Sequence, residues 1–288
     1  MPHASPLVAG FYHEPSGSIA YILQDPAGTH AAIIDPVLDY DEKSGLVSSE
    51  SADAIVEAVR ARGLTIDWVL DTHAHADHFS AAAYLKERLG APIAIGARIV
   101  NVQRLWRDIY NEPGFPADGS QWDRLFADGE TFRVGSLDVR VILTPGHTPA
   151  SITYVAGDCA FVHDTLFQPD SGSARADFPG GSAAELYDSI QTILALPDTT
   201  RLFTGHDYRP GGRPAQWEST VADQKRSNKH VFEHPTRQSY VAMREKRDRT
   251  LPMPRLILHA LQVNIRGGRL PPPESNGRSY LKIPLNGL

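Results

Sequence analysis

Thr72 to His78 read THAHADH, and no other stretch of the 288 residues limits so sharply what the chain can fold into. Imidazole and carboxylate lone pairs are costly to bury unless a metal ion, a charge or a hydrogen bond takes them up. With 12 histidines in 288 residues, an H-x-H-x-D-H window arises by chance with probability ~4 × 10⁻⁶, or ~10⁻³ over the chain. Solvated surface histidines therefore explain the motif poorly. The fold must bring these donors to one point.

The flanking pattern shows how. SIAYIL and HAAIIDPV are β-branched-rich runs separated by the turn DPAGT. SADAIVEAVRARG has apolar residues at helical spacing, a capping Ser51 or Asp53, and a stop at Gly63. TIDWVL then reads as a buried strand, the motif as the loop after it, and FSAAAYLKERLG as a helix ending at Gly90. His73 and His75 are two apart in an extended chain, so they point the same way. Asp77 stands where the next helix is expected to start, a favourable capping position.

Further donors stand at other strand ends. His147 lies in the turn TPGHTPAS after the strand LDVRVIL. Asp164 ends the apolar strand CAFVHD, a poor place for an unpaired carboxylate, and His206 ends TRLFTG. Donors at the ends of separate strands are how a rigid scaffold assembles a site. His163 is expected to face the other side of its strand and to be structural, and His30, His230, His234 and His259 are read as surface or packing residues. SITYVA and CAFVHD form a hairpin at Gly157-Asp158. A helix over about Ser182 to Leu196 and another around Trp217 to Lys229 follow. Two β-then-α halves suggest two sheets packed face to face with helices outside, although the alternation also allows a three-layer parallel sheet. From about Leu251 the chain is punctuated by PMP, GGR and PPPE and reads as an extended segment lying over the core.

Composition narrows the classes. The net charge of −6 and the lack of a Lys/Arg run argue against nucleic acid as a partner. No basic n-region or long apolar span indicates secretion or a membrane, so a soluble, cytoplasmic protein is expected. The single cysteine, Cys159, cannot form an internal disulfide and lies in an apolar run, where it reads as a buried strand residue.

The seven donors, in order, resemble the metallo-β-lactamase superfamily: His73, His75, Asp77 and His78 match its H-x-H-x-D-H motif, and His147, Asp164 and His206 its later ligands. The resemblance implies an αββα sandwich of two mixed sheets with helices outside and the site at one edge. It implies one such domain over residues 1–288, with a catalytic core to 235 and a C-terminal extension, 236–288, packed on it. Within the superfamily, DTHAHADHFSAAAYL, GSARADFPGG, FTGHDY and the C-terminal QVNIRGGRLPPPESNGRSYLKIPLN look like the persulfide dioxygenases. That likeness implies one non-haem Fe(II) per chain held by His73, His147 and Asp164. His75, Asp77, His78 and His206 would then orient ligands or bind water. Glutathione persulfide and O2 would be the reactants, sulfite and glutathione the products. Arg175, Tyr208 and Arg213 match substrate-side positions, and Asp177 would orient Arg175. Resemblance mildly favours a homodimer.

A rival reading keeps the same donors. Two metal ions, zinc for example, could be held with Asp164 bridging, as in a glyoxalase II type thioesterase that hydrolyses S-acylglutathione. Against it, residues 230–288 do not resemble that enzyme's helical C-terminal domain. A metal- or persulfide-sensing protein is a third reading, but it would have little use for three open iron positions.

Overall fold

A computed structural model describes residues 5–286. The first half runs β1 (Leu7–His13), β2 (Ser18–Gln24), β3 (His30–Ile34), β4 (Val37–Asp41), β5 (Leu46–Ser48), α1 (Glu50–Ala61), β6 (Thr65–Leu70), β7 (Phe79–Ser80), α2 (Ala82–Leu89), β8 (Ile93–Gly96), α3 (Ile99–Ile109) and β9 (Arg124–Phe126). The second runs β10 (Thr131–Val134), β11 (Leu137–Leu143), β12 (Ile152–Ala156), β13 (Cys159–His163), α4 (Ala183–Leu194), β14 (Arg201–Thr204), β15 (Glu218–Thr220), α5 (Val221–Ser227), α6 (Arg237–Asp248) and α7 (Ile257–Asn264).

One six-stranded sheet has the order β1-β2-β3-β6-β8-β9 and the other β10-β11-β12-β13-β14-β15. Both are mixed, because β3, β6, β8 and β9 pair in parallel, as do β13 and β14, while the other pairs are antiparallel. The central strands are buried on both faces, which is why they read as unbroken apolar runs. In β2, Ile19, Tyr21 and Leu23 enter the core between the sheets, whereas Ala20 and Ile22 meet the helices. In β13, Cys159 and Phe161 face inward and Ala160 and Val162 face α4. Helices α1, α2, α3 and α7 cover one sheet and α4, α5 and α6 the other. This is the αββα sandwich, and the three-layer alternative falls.

Several boundaries differ from the sequence expectation. Helix α1 starts one residue before Ser51, with Ser49 as an N-cap whose hydroxyl donates to the Asp53 carboxylate at 2.7 Å and caps no backbone amide. Asp39, from the neighbouring strand β4, caps it instead by accepting the Ser51 amide at 2.9 Å and the Ser51 hydroxyl at 2.6 Å. Helix α2 begins only at Ala82, after the two-residue strand β7, so Asp77 does not cap it. The stretch expected to be helical from Trp217 instead gives β15 and then a short α5 with a Thr220 and Asp223 capping box. The C-terminal stretch read as extended from about Leu251 contains α7, and α6, just before it, was not anticipated. Helix α7 is buried on most sides, from Ala260 through Asn264, so its sequence shows no amphipathic period to read. Helix α3 and strands β1 and β8 were not anticipated.

Burial works against ionisation of Asp39, but hydrogen bonds from His13 and Ser51 outweigh it and lower its carboxyl to about 2. A depressed carboxylate stabilises the fold above its unfolded value near 3.8 and loses that contribution as pH falls through about 2. Asp39→Asn is therefore expected to cost about 1–2 kcal/mol at neutral pH. Urea denaturation followed between pH 7 and pH 2 should show a shallower acid-side decline in the variant than in the native chain.

Candidate metal centre

The site is built at the ends of β6, β11, β13 and β14, on one edge of the sandwich. Each arrival has a local cause. Gly146, at φ 130°, lets the turn after β11 press against α4, since a Cβ there would stand 2.2 Å from the Leu186 amide nitrogen. That close approach fixes where His147 begins. In β13 the register shifts between Phe161 and His163, and His163 takes a left-handed φ of 40°. A bulge of this kind re-aims the next side chain, here Asp164. His163 stays structural, as expected, with Nε2 bonded to the hydroxyls of Thr144 and Thr165, although its ring centroid lies 5.2 Å from that of His73.

All seven sequence-predicted donors converge. His73, His147 and Asp164 are buried, and each offers a ligand atom within 4.8 Å of the others. Their hydrogen bonds decide which atoms those are. Thr72 Oγ1 donates to Asp35 Oδ2 at 2.7 Å, so it accepts from His73 Nδ1 at 3.0 Å. His73 Nε2 is left bare, buried and without a partner. His147 Nδ1 donates to the Arg175 carbonyl at 2.9 Å, which leaves its Nε2, 3.7 Å from Asp164 Oδ2, with a free lone pair. Asp164 Oδ1 accepts from His206 Nδ1 at 2.6 Å, so Oδ2 faces the gap. Burial keeps both ligand imidazoles neutral, pulling His73 well below and His147 below the ordinary histidine value. Burial would raise Asp164, but His206 beside it overrides this and holds the carboxyl at about 2. Two neutral imidazoles and an ionised carboxylate, each oriented from behind, fit a divalent metal ion.

The other four donors are engaged differently. His75 Nε2 lies 3.1 Å from Asp35 Oδ1. Burial opposes a charge on His75, yet Asp35 holds its imidazole up at about 9. Asp77 Oδ2 accepts from His206 Nε2 at 2.7 Å and stands 3.2 Å from His78 Nδ1. His75, Asp77 and His78 also form a group whose ligand atoms lie within 4.8 Å of one another, as do Asp35, Asp71 and His75.

A cavity of about 460 Å³ opens onto the centre, lined by His147, Asp164, His206, Arg175, Phe178 and Tyr208 among others. Tyr208 stacks on the His206 ring, 5.6 Å between centroids and 9° between planes. Arg175 is fixed by Asp177 through bonds of 2.6 and 2.8 Å and by the Pro252 carbonyl at 2.6 Å, with its guanidinium over the Phe178 ring. Asp177 thus orients Arg175 as expected. Arg213 does not line the cavity, because Asp170 and Asp207 take its guanidinium at 2.6 to 2.9 Å. Its site there is structural, tying the loop after β14 to residue 170.

Sequence reasoning missed several contributors. Asp35 ends the apolar strand HAAII just as Asp164 ends CAFVHD, so the same signal was present. Arg247 and Arg255 of the C-terminal segment line the cavity, and nothing in the sequence pattern places them there. His230, read as a packing residue, is buried and also reaches the cavity. Its Nδ1 accepts the Ser173 amide at 2.9 Å, consistent with burial pulling the imidazole down to about 3. Asn264, in α7, donates to the carbonyls of His75 and His78 at 2.8 Å each and accepts the Ser80 amide at 2.7 Å. Among the described residues no helix is long and apolar enough to cross a membrane.

Comparison with known proteins agrees with this geometry. The chain is 63% identical over 284 residues to a "Beta-lactamase hydrolase-like protein" of Xylella fastidiosa, covering 99% of this chain but only 66% of that protein's length. It is 48% identical to "Glyoxylase B2" of Dictyostelium discoideum, with 93% and 92% of the two chains covered. It is 27% identical to the mitochondrial persulfide dioxygenase ETHE1 of Bos taurus, with 93% and 91% covered. The crystal structure of ETHE1 from Myxococcus xanthus superposes with a TM-score of 0.73 at 31% identity, covering 91% of this chain and all of that one. The sequence model of the metallo-beta-lactamase superfamily matches residues 14–206, the segment that carries all seven donors. The protein belongs to the metallo-β-lactamase superfamily.

Proposed function

We propose that the protein is a persulfide dioxygenase that oxidises glutathione persulfide with O2 and water to sulfite and glutathione at a single Fe(II) held by His73, His147 and Asp164. The observation that carries this reading is the division of the seven donors. His73, His147 and Asp164 turn ligand atoms to one gap and are each oriented from behind by a hydrogen bond, while Asp77 is bonded by His206 and His78 Nδ1 and His75 faces Asp35, and His78 Nε2 is bare like His73 Nε2 among the described residues. Two imidazoles and one carboxylate on one face suit iron and leave three positions open. Bound there, Fe(II) would supply electrons to O2 and a seat for a sulfur beside it.

The protein's own groups prepare that chemistry. The Arg175 carbonyl, the Thr72 hydroxyl and His206 fix the orientation of the three ligands. Phe167, Phe178 and Leu256 give the cavity an apolar wall, which limits water around a reactive sulfur. Glutathione carries two carboxylates, and guanidinium groups suit them. Arg175, Arg247 and Arg255 are the candidates at the cavity, Arg175 already held in place by Asp177. Arg213, saturated by two carboxylates, would act only by shaping the loop that carries Tyr208. Localisation in the cytoplasm, a homodimer and the use of iron over zinc are parts of this proposal.

A hydrolytic reading has support of its own. The His75, Asp77 and His78 group could take a second ion, and the Xylella and Dictyostelium relatives carry hydrolase-type or glyoxalase-type names. Oxygen-electrode measurements separate the two. Iron-loaded protein is expected to consume O2 when given glutathione persulfide and to leave S-lactoylglutathione intact. Rapid thioester hydrolysis without O2 uptake would remove the dioxygenase reading. Arg175→Ala, which spares the backbone carbonyl holding His147, should raise KM for glutathione persulfide about tenfold with a smaller change in kcat. An unchanged KM would take Arg175 out of the substrate cradle.

A further inference from the structure

His75, Asp77, His78 and His206 are the residues that, on the two-ion reading, would add a second metal to the first. We infer that Ser18 decides the metal count: its hydroxyl is seated among the donors of the second position and keeps an ion out. Ser18 Oγ lies 2.9 Å from Asp77 Oδ2, 2.9 Å from His206 Nε2 and 3.1 Å from His78 Nδ1. One hydroxyl therefore meets one donor atom from each of Asp77, His78 and His206. Hydrogen bonding is directional, so the Asp77 oxygen, His206 Nε2 and His78 Nδ1 turned toward this hydroxyl are not free for an ion while it is seated there, which leaves His78 Nε2 as the bare nitrogen of the three residues. The side chain is buried, with Ser18 only 2% exposed, and offers no solvent route by which the hydroxyl could turn away.

The hydroxyl is also held from behind. Ser16 Oγ stands 2.7 Å from Ser18 Oγ and is itself bonded to His13 Nδ1 at 2.6 Å. His13 Nε2 lies 3.3 Å from Asp39 Oδ1, the carboxylate that caps α1. The backbone adds a second restraint, because the Ile19 amide donates to the Gly205 carbonyl at 2.9 Å and Ser18 bridges His206 across the two sheets. A second ion at His206 Nε2 would have to displace the Ser18 contacts and the Asp77 to His206 bond at 2.7 Å, while the His206 Nδ1 bond to Asp164 at 2.6 Å could stay. Ser18 is thus a determinant of metal count, and Ser16, His13 and Asp39 position it. This rests on the single-ion reading proposed above.

The test counts metal and does not depend on turnover. Native protein, Ser18→Ala and Ser18→Thr are loaded with excess zinc, dialysed and assayed for metal per chain by mass spectrometry, with circular dichroism as a folding control. The native chain and Ser18→Thr, which keeps the hydroxyl, are expected to hold about one zinc, and Ser18→Ala about two. Ser16→Ala removes only the buttress and touches none of the donors. Calorimetry should show it binding a second zinc about tenfold more tightly than the native chain does. Two ions in the native protein would overturn the inference. One ion in Ser18→Ala, with no tightening in Ser16→Ala, would do the same. If the native chain holds one ion and Ser18→Ala two, yet the native chain consumes no O2, the dioxygenase reading fails and the role of Ser18 stands. If it consumes O2 while Ser18→Ala still holds one ion and Ser16→Ala binds a second zinc no more tightly, the reverse is concluded.

Discussion

His147→Ala is expected to strip the protein of bound iron, from about one ion per chain to almost none after dialysis, and to remove O2 uptake with it. The effect is large because His147 supplies one of only three free donors. Its Nε2 has no other partner to satisfy, and its Nδ1 is committed to the Arg175 carbonyl. With alanine there, His73 and Asp164 remain as two donors, and His75, drawn to Asp35, and His206, drawn to Asp77 and Asp164, are not free to replace the third. The informative comparison is His206→Ala. If His206 only orients Asp164, its loss should weaken iron binding by about 10- to 100-fold, the cost typical of a group that acts through a ligand, and still leave iron bound at saturating metal. Iron analysis of both variants therefore tests the division of the seven donors. Equal and complete metal loss in the two would favour a centre in which His206 is itself a ligand.

Much of this site was legible because its chemistry runs against packing. Histidines two apart after a strand and an aspartate ending an apolar strand cannot be explained by a core, so His73, His75, His147, Asp164 and His206 stood out. The strands were legible for the opposite reason, as runs such as HAAII and CAFV that only a doubly covered sheet would bury. Other groups were hidden because their importance lies in partners distant in sequence. Ser18 is an ordinary strand residue until Asp77, His78 and His206 close around it. Asp35 was overlooked although it occupies the same kind of position as Asp164. Arg213 looked suited to a substrate carboxylate, but two carboxylates, Asp170 and Asp207, take its guanidinium away from the cavity, whereas Arg175, paired with Asp177 alone, lines it. Helix α7 was missed because a helix buried on most sides loses the 3.6-residue period, and α6 because its buried face is Tyr240, Arg244 and Asp248, which makes no apolar stripe. Arg244 and Asp248 of α6 pair with each other and bond the Ser173 carbonyl and the Ala176 amide, so this part of the chain holds the segment that carries Arg175.

The same dependence on the C-terminal chain predicts a strong effect at Asn264, which touches none of the metal donors' side chains. Its amide joins three points of the motif loop: the carbonyls of His75 and His78 accept from Nδ2, and the Ser80 amide donates to Oδ1. All of these groups are buried, and the loop has little regular structure of its own between β6 and β7 to take them up. Asn264→Ala would leave one N–H and two carbonyls without their partner, and each unpaired buried group costs about 1–3 kcal/mol, carbonyls at the low end. A total loss of about 2–4 kcal/mol is expected, seen as a lower denaturation midpoint in urea at an unchanged slope. Because the loop carries His73, the variant should also bind iron about 10- to 100-fold more weakly, even though all seven donors remain. Asn264→Asp separates the two contributions. It retains an acceptor for the Ser80 amide but replaces the donor to His75 and His78 with a second oxygen, so it should fail to restore metal affinity. If Asn264→Ala bound iron as tightly as the native chain while losing stability, the motif loop would be positioned by the strands alone, and α7 would serve only as core.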